Sequence, residues 1–303
     1  MLSFLPPTVR GCILVTLYFL NTAIIFTLIM LVSVFKIVVP VEGWRSLCSR
    51  ALQRIAAGWV GMNRVNTRLV NKVTWDVEGL EGLEMDQWYL VVSNHQSWTD
   101  ILVLQSVFYR KIPFLKFFIK KELIWVPLLG LAWWALDFPF MKRYSQAFLK
   151  KNPHLAGQDL ETTKKACMKF VKTPVSVMNF AEGTRFTPEK HARQESPFQR
   201  LLRPKAGGMA FVLSAMNGTL SRMVDVTIAY PHGTKGFWDF MCGRVDLVRV
   251  RVRTLPISQE LLGDYGGDES FRAGFQDWLN RLWEEKDREL ARMMGPVQEP
   301  PAR

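Results

Sequence analysis

Hydrophobic residues are spread along this chain in three distinct patterns. The first is an unbroken run: from Gly11 to Phe35 no charged residue occurs over 25 positions. As a helix this stretch is about 37 Å long, enough to cross a hydrocarbon core of about 30 Å. It exceeds the apolar region of a signal peptide, and no small-residue cleavage site precedes Val38-Val39-Pro40, so the segment is expected to be retained. A single spanning helix is the first expectation. A helical hairpin dipping into one leaflet, with Asn21-Thr22 near its turn, is the second, and a buried helix of a soluble core is the third. The second pattern is Leu123 to Leu136, uncharged for 14 residues. That is too short to span, and Pro127 and Gly130 interrupt it.

The third pattern is an alternation of helical and strand-like segments. Residues 42–72 read as a helix with Leu52, Ile55, Trp59 and Met62 on one face. Short β-rich runs follow at Lys72 to Val77, Tyr89 to Ser93, Pro174 to Phe180, Val224 to Tyr230 and Val245 to Leu255. Between them, Thr99 to Tyr109, Asp159 to Lys172 and Ala206 to Met216 read as helices. Phe271, Phe275, Trp278, Leu279, Leu282 and Trp283 recur at helical spacing near the end. Strands alternating with helices predict an α/β domain. The expected division is a membrane anchor at 1–40, a helical and strand lead-in at 41–87, the α/β domain at 88–294 and a loose tail at 295–303. Pro188 to Pro197 is expected to be a mobile loop.

Charge and aromatic content then narrow the setting. The 303 residues carry 39 Lys plus Arg against 27 Asp plus Glu, a formal net charge of +12, with 11 Trp and 20 Phe. Such a chain suits either nucleic acid or an anionic membrane face. No recognition helix, zinc spacing or aromatic RNA-binding signature supports nucleic acid. The positions favour a membrane. Arg10 flanks the apolar run on one side and Lys36, Arg45, Arg50 and Arg54 on the other, which places the carboxyl-terminal part in the cytoplasm. Trp125, Trp133 and Trp134 suit a headgroup region. Arg110, Lys111, Lys116, Lys120 and Lys121, among Phe114, Phe117 and Phe118, read as a surface resting on anionic lipid or as the solvated flank of a core helix. Cys12, Cys48, Cys167 and Cys242 are too far apart for a zinc site or a disulfide framework, so no metal is expected.

Two segments carry candidate chemistry. In Ser93-Asn94-His95-Gln96-Ser97-Trp98-Thr99-Asp100, His95 falls at a strand's carboxyl end, where reacting groups are commonly exposed. A strand-to-helix turn can bring Asp100 back onto one imidazole nitrogen and leave the other to take a proton. Ser97-x-x-Asp100 is equally a capping-box pattern, which would make Asp100 structural. In Glu182-Gly183-Thr184-Arg185, Gly183 permits a tight turn, Thr184 and local amides can donate to an anion, and Arg185 offers a planar fork for phosphate. Arg203-Pro204-Lys205-Ala206-Gly207-Gly208, opening a helix, is a second candidate phosphate cradle. His154, His191 and His232 have no partners at ligand spacing and are expected to be bystanders. Met209, Met216 and Met223 are expected in the core, and Lys164-Lys165 on a solvated helix face.

In this order the segments resemble the glycerolipid acyltransferases of the lysophosphatidate acyltransferase, PlsC-like family. The resemblance runs through Asn94-His95-Gln96-Ser97-Trp98-Thr99-Asp100 and Lys120-Lys121-Glu122-Leu123 with Pro127 and Gly130. It continues in Phe180-Ala181-Glu182-Gly183-Thr184-Arg185, Pro204-Lys205-Ala206-Gly207-Gly208 and Asp225-Val226-Thr227-Ile228-Ala229-Tyr230-Pro231. It covers roughly Trp88 to Pro231, and the whole chain looks close to a bacterial, YihG-type branch. Ala181 stands where the family often has Pro, and Phe186 where it often has a small polar residue.

The resemblance implies an α/β acyltransferase domain behind a membrane helix or helical hairpin. It implies His95 as general base, Asp100 as its orienting partner, and Glu182, Gly183, Thr184 and Arg185 with Lys205 as the acceptor-phosphate site. No cofactor is expected to be bound; acyl-CoA or acyl-acyl-carrier-protein would be the co-substrate and a lysophospholipid the acceptor. The expected product of 1-acyl-glycerol-3-phosphate is phosphatidic acid, and lysophospholipids with larger headgroups are the alternative acceptors. The expected location is a bacterial inner membrane, with the catalytic domain facing the cytoplasm. An inactive membrane lipid-binding scaffold is the remaining reading.

Overall fold

A computed structural model of the chain describes residues 2–141, 167, 170, 173–216 and 218–295. Its centre is a six-stranded sheet. The strands are β1 (Thr74–Glu78), β2 (Tyr89–Ser93), β3 (Leu115–Phe117), β6 (Ser176–Phe180), β7 (Arg222–Ala229) and β8 (Leu247–Pro256), in the spatial order β1-β8-β7-β2-β6-β3. Every neighbouring pair is parallel except β7 with β8. A two-stranded ladder of β4 (Ile119–Lys120) and β5 (Phe140–Met141) lies apart from it.

Strand β2 is buried along its whole length. Its run Tyr-Leu-Val-Val is apolar throughout because a parallel strand in mid-sheet is covered on both faces. Its side chains alternate between two cores. Leu90 and Val92 face a cluster with Met209, Leu213 and Phe275, built with the helices Gly207–Ala215 and Glu269–Met294. Tyr89 and Val91 face a cluster with Val103, Leu104 and Val226, beneath helix α3 (Thr99–Val107). In register, Ser93 pairs with Phe180 on β6 and with Val226 on β7. The segments leaving β2, β6 and β7 therefore emerge together at one edge, the usual place for a ligand in an open α/β sheet.

Most strand and helix expectations agree with the structure to within two or three residues, and Met209, Met216 and Met223 are all buried in the first core. The helix expected at Asp159 to Lys172 lies outside the described residues apart from Cys167 and Phe170, and so do His154 and Lys164-Lys165. Two expectations need correction. Pro188 to Pro197 is not a loop throughout: Pro188–Gln194 is helical, with Pro at its first turn and the Thr187 hydroxyl accepting from Lys190 N at 3.3 Å. The basic, aromatic run at 110–121 is not all surface, since Leu115 and Lys116 are buried in the edge strand β3. The run Leu123 to Leu136 divides into a short 3-10 turn, Lys121–Trp125, and helix α4, Leu129–Ala135. Ala132, Ala135 and Leu136 join a third core, while Trp125 and Trp134 stay exposed.

The amino-terminal run forms one unbroken helix, α1 (Pro7–Val38), followed after a tight turn by α2 (Glu42–Val70). Asn21 and Thr22 do not form a turn. They sit in the middle of α1 and bind α2: Asn21 Nδ2 donates to Asn63 Oδ1 at 2.7 Å and to Trp59 O at 3.0 Å, and Trp59 Nε1 donates to Thr22 Oγ1 at 3.0 Å. Polar side chains inside an apolar helix need such partners. Both ends of α1 touch the α/β domain. Gly11 lies against Cys242 and Trp238 at one end, and Lys36 pairs with Asp137 at 2.9 Å at the other. Phe19, Ile24, Leu31 and Val34 on α1 are exposed. Among the described residues α1 is the one helix long and apolar enough to cross a membrane.

Candidate active site

The turn after β2 is held from several sides. Asn94 is fully buried; its Nδ2 donates to Ile228 O and its Oδ1 accepts from Ile228 N, both at 2.9 Å. This paired amide contact fastens the end of β2 to β7. The His95 backbone N donates to Glu182 Oε1 at 2.9 Å, and its carbonyl accepts from Phe186 N at 2.7 Å. The imidazole ring stacks on Phe180, with centroids 3.9 Å apart.

His95 Nδ1 lies 2.9 Å from Asp100 Oδ2. A carboxylate only accepts, so Nδ1 carries the proton and Nε2 keeps a free lone pair. Asp100 Oδ2 also accepts the backbone amides of Gln96 at 2.6 Å and Ser97 at 2.8 Å. One oxygen thus serves the imidazole and closes the turn, but the full capping box is not formed: α3 starts after Trp98 with no side-chain cap, and the Ser97 hydroxyl accepts from Thr99 N at 3.2 Å, not from Asp100 N. Its other oxygen, Oδ1, accepts the Tyr230 hydroxyl at 2.6 Å. Asp100 and Tyr230 are both buried, and burial beside this carboxylate raises the Tyr230 pKa far above its ordinary value, keeping the phenol protonated as a donor. Sequence reasoning assigned Tyr230 no role. The available signal was its place just after β7, whose end shares an edge with that of β2.

The Glu182 to Arg185 segment divides in two. Glu182 is fully buried and does not face the open side; its Oε1 accepts His95 N and its Oε2 accepts Leu202 N at 3.1 Å. Burial pushes its carboxyl up to about 8, with the two amides pulling only partly the other way. The expectation that Glu182 touches an acceptor phosphate is thus corrected: the side chain ties the His95 turn to the Leu202 segment. The next three residues do face outward. Gly183 holds φ at +69°, in the left-handed region that suits glycine. Arg185 is exposed and its guanidinium lies 4.8 Å from the Trp98 ring centroid. Lys205 is brought over this turn, its Nζ 3.7 Å from where a Cβ on Gly183 would stand.

Thr184 Oγ1 accepts from Lys190 Nζ at 2.8 Å, and the same ammonium donates to Arg185 O at 2.9 Å. Lys190 is thus a third cation at the turn, hidden from sequence reasoning by the loop expectation for its segment. Arg185, Lys190 and Lys205 have no carboxylate partner among the described residues. Three cations without a carboxylate partner among the described residues, on a segment bonded to the His95 turn, suit an anionic substrate. The second cradle is less open than expected. Arg203 turns away to donate to Gln194 O and Glu195 O, and a Cβ on Gly208 would fall 2.8 Å from Asn179 Nδ2. That glycine serves close packing of its helix on β6. His191 Nε2 donates to Phe198 O at 2.6 Å, and the exposed His232 pairs with Asp246 at 2.8 Å.

Comparisons with known proteins agree on a family. The acyltransferase family matches residues 74–231. The chain is 27% identical over 180 residues to the 1-acyl-sn-glycerol-3-phosphate acyltransferase gamma of Mus musculus, covering 55% of this chain and 43% of that protein. It is 23% identical over 261 residues to lysocardiolipin acyltransferase 1 of Danio rerio, covering 80% of this chain and 62% of that one. The chain thus spans less than half the length of the mouse relative. In three dimensions it is similar to the crystal structure of the 1-acyl-sn-glycerophosphate acyltransferase PlsC from Thermotoga maritima. The TM-score is 0.54 at 18% identity, covering 94% of this chain and 97% of that one.

Proposed function

The chain belongs to the acyltransferase family, and on that premise we propose that it moves a fatty acyl group from a thioester to the free hydroxyl of a lysophospholipid. The observation that carries this reading is the His95 Nδ1 to Asp100 contact, which leaves Nε2 unprotonated, on a turn tied through Glu182 and Phe186 N to the segment carrying Arg185 and Lys190. The acceptor hydroxyl gives its proton to Nε2 as its oxygen attacks the thioester carbonyl. A carbon–oxygen bond forms, the carbon–sulfur bond breaks, and the imidazolium returns the proton to the departing thiolate. The nucleophile belongs to the substrate, so no serine or cysteine nucleophile is required. Acyl-CoA or acyl-acyl-carrier-protein supplies the acyl group, and no bound cofactor enters the scheme.

The acceptor we favour is 1-acyl-glycerol-3-phosphate, giving phosphatidic acid, because three cations suit a phosphate monoester. A lysophospholipid with a larger headgroup is the second reading, supported by the longer alignment with lysocardiolipin acyltransferase 1. We place the protein at a bacterial inner membrane, on the cytoplasmic side. Because α1 touches the same domain at both ends, the reading that fits is a hairpin of α1 and α2 lying along the bilayer surface with its apolar side in lipid. The test is acyl transfer by purified protein to a panel of lysophospholipids with both donor types, read by mass spectrometry. His95→Ala should remove turnover and leave membrane association intact. Normal transfer by that variant would end the assignment.

A further inference from the structure

Away from His95, at the far end of α3, two cavities open where α2 meets the segment 105–115. One, of about 260 Å³, is bordered by Arg64, Arg68 and Lys111 together with Val60, Trp75 and Leu102. The other, of about 270 Å³, is bordered by Arg50, Arg54 and Arg110 with Phe108 and Phe114, and by one carboxylate, Asp86. Tyr109 lines both. Its ring lies close on α2 at Gly61; a Cβ there would stand 2.5 Å from the phenol oxygen and make the ring shift. The Arg64 guanidinium lies 4.9 Å and that of Arg110 5.7 Å from the Tyr109 ring centroid. Arg110 holds φ at +59°, an uncommon conformation for arginine.

Arg50, Arg54, Arg64 and Arg68 fall on one stripe of α2, with Ala57 and Gly61 between them. None of these four arginines, nor Lys111, has a carboxylate partner among the described residues. Burial and the neighbouring Arg68 lower the Arg64 pKa, with Tyr109 acting the other way. The exposed apolar residues Met62, Val65 and Leu69 lie about a quarter turn around the same helix. A cationic groove bordered by apolar walls and continuous with an exposed apolar helix face matches a molecule having an anionic head and hydrocarbon tails.

We propose that this groove binds one anionic membrane phospholipid, its phosphodiester held by Arg64, Arg68 and Lys111, with Arg50, Arg54 and Arg110 across Tyr109 adding to the attraction and its chains along the apolar face of α2. The site is separate from the acyl-transfer centre: α3 begins beside His95, and Gln105, Ser106 and Val107 of its last turn line the groove about 9–12 Å further along its axis. A flat-binding acidic protein would need no cavity and no apolar walls, so a lipid fits better.

The test is native mass spectrometry of the full chain in detergent with phosphatidylglycerol and, separately, phosphatidylcholine. The wild type should retain one phosphatidylglycerol per chain in preference to phosphatidylcholine. R64Q/R68Q should weaken that retention about tenfold or more, and R281Q/R288Q, with the same loss of charge on the carboxyl-terminal helix, should leave it unchanged. R50Q/R54Q, at exposed positions, provides a second probe if R64Q/R68Q folds poorly. Unchanged retention in a folded groove variant, or equal loss in the R281Q/R288Q control, would overturn the site. Displacement of phosphatidylglycerol by glycerol 3-phosphate or inorganic phosphate at equal concentration would overturn the lipid assignment. So would loss of acyl-carrier-protein binding in the groove variants with lipid retention intact.

Discussion

The Tyr230 hydroxyl donates to Asp100 Oδ1 at 2.6 Å, so the carboxylate behind His95 is held at both oxygens. Tyr230→Phe removes this donor with little change of shape. A hydrogen bond to a charged group contributes about 1.5–3 kcal/mol, and here the loss falls on the aim of the imidazole. The expected result is a fall in kcat of about tenfold or more, with KM for the acceptor nearly unchanged and the protein still folded. Steady-state kinetics check this; an unaltered kcat would mean that the two backbone amides alone hold Asp100.

Glu182 provides a pH signature. Its carboxyl is pushed up to about 8 by burial, whereas in the unfolded chain it titrates at about 4.3. Between those values the folded chain holds a proton that the unfolded chain releases, so this group lowers stability as pH rises through the window. Glu182→Gln cannot titrate. Its stability relative to the wild type should therefore improve on going from pH 5 to pH 8, as read by chemical unfolding at the two pH values. The same variant presents an NH₂ group to one of the two amides now bound by the carboxyl, so turnover should fall even at pH 5.

At the cationic turn, Arg185→Ala and Lys205→Ala should each raise the acceptor KM about tenfold to a hundredfold, the range expected for losing one charge-assisted contact. The kcat should change far less. An unchanged KM for a phosphorylated acceptor in both variants would count against this cluster as the phosphate site.

Behind β7, Lys286 is fully buried and its Nζ lies 2.5 Å from Asp225 Oδ1, while Arg253 reaches Asp225 Oδ2 at 2.7 Å. Lys286→Met leaves a buried carboxylate with one partly exposed cation. Breaking such a pair typically costs about 3–5 kcal/mol, which unfolding curves would register directly. Arg253→Lys, at the solvent side, should cost much less.

Local pattern was enough to read the alternating strands and helices and the long apolar helix; it left Asp100 open between a helix cap and a partner of His95, and only the family resemblance favoured the pairing. The strands and helices depend on neighbours in sequence: a strand's composition, a helix's period. The outward face of Gly183 to Arg185 was legible for the same reason. What escaped depends on distant segments. Tyr230 meets Asp100 across 130 positions, Glu182 meets His95 across 87, and Asn21 meets Asn63 across 42. Glu182 in particular has the residue type and spacing of a surface ligand. Only the sheet order β7-β2-β6, which brings three strand ends to one edge and closes the Leu202 segment over them, turns it inward. The amino-terminal run shows the same division. Its apolar length is a property of the sequence alone, but whether it stands across a bilayer or lies along one depends on where its two ends are held. Cys242 and Trp238 at one end and Asp137 at the other are tertiary neighbours, and no periodicity within α1 encodes them.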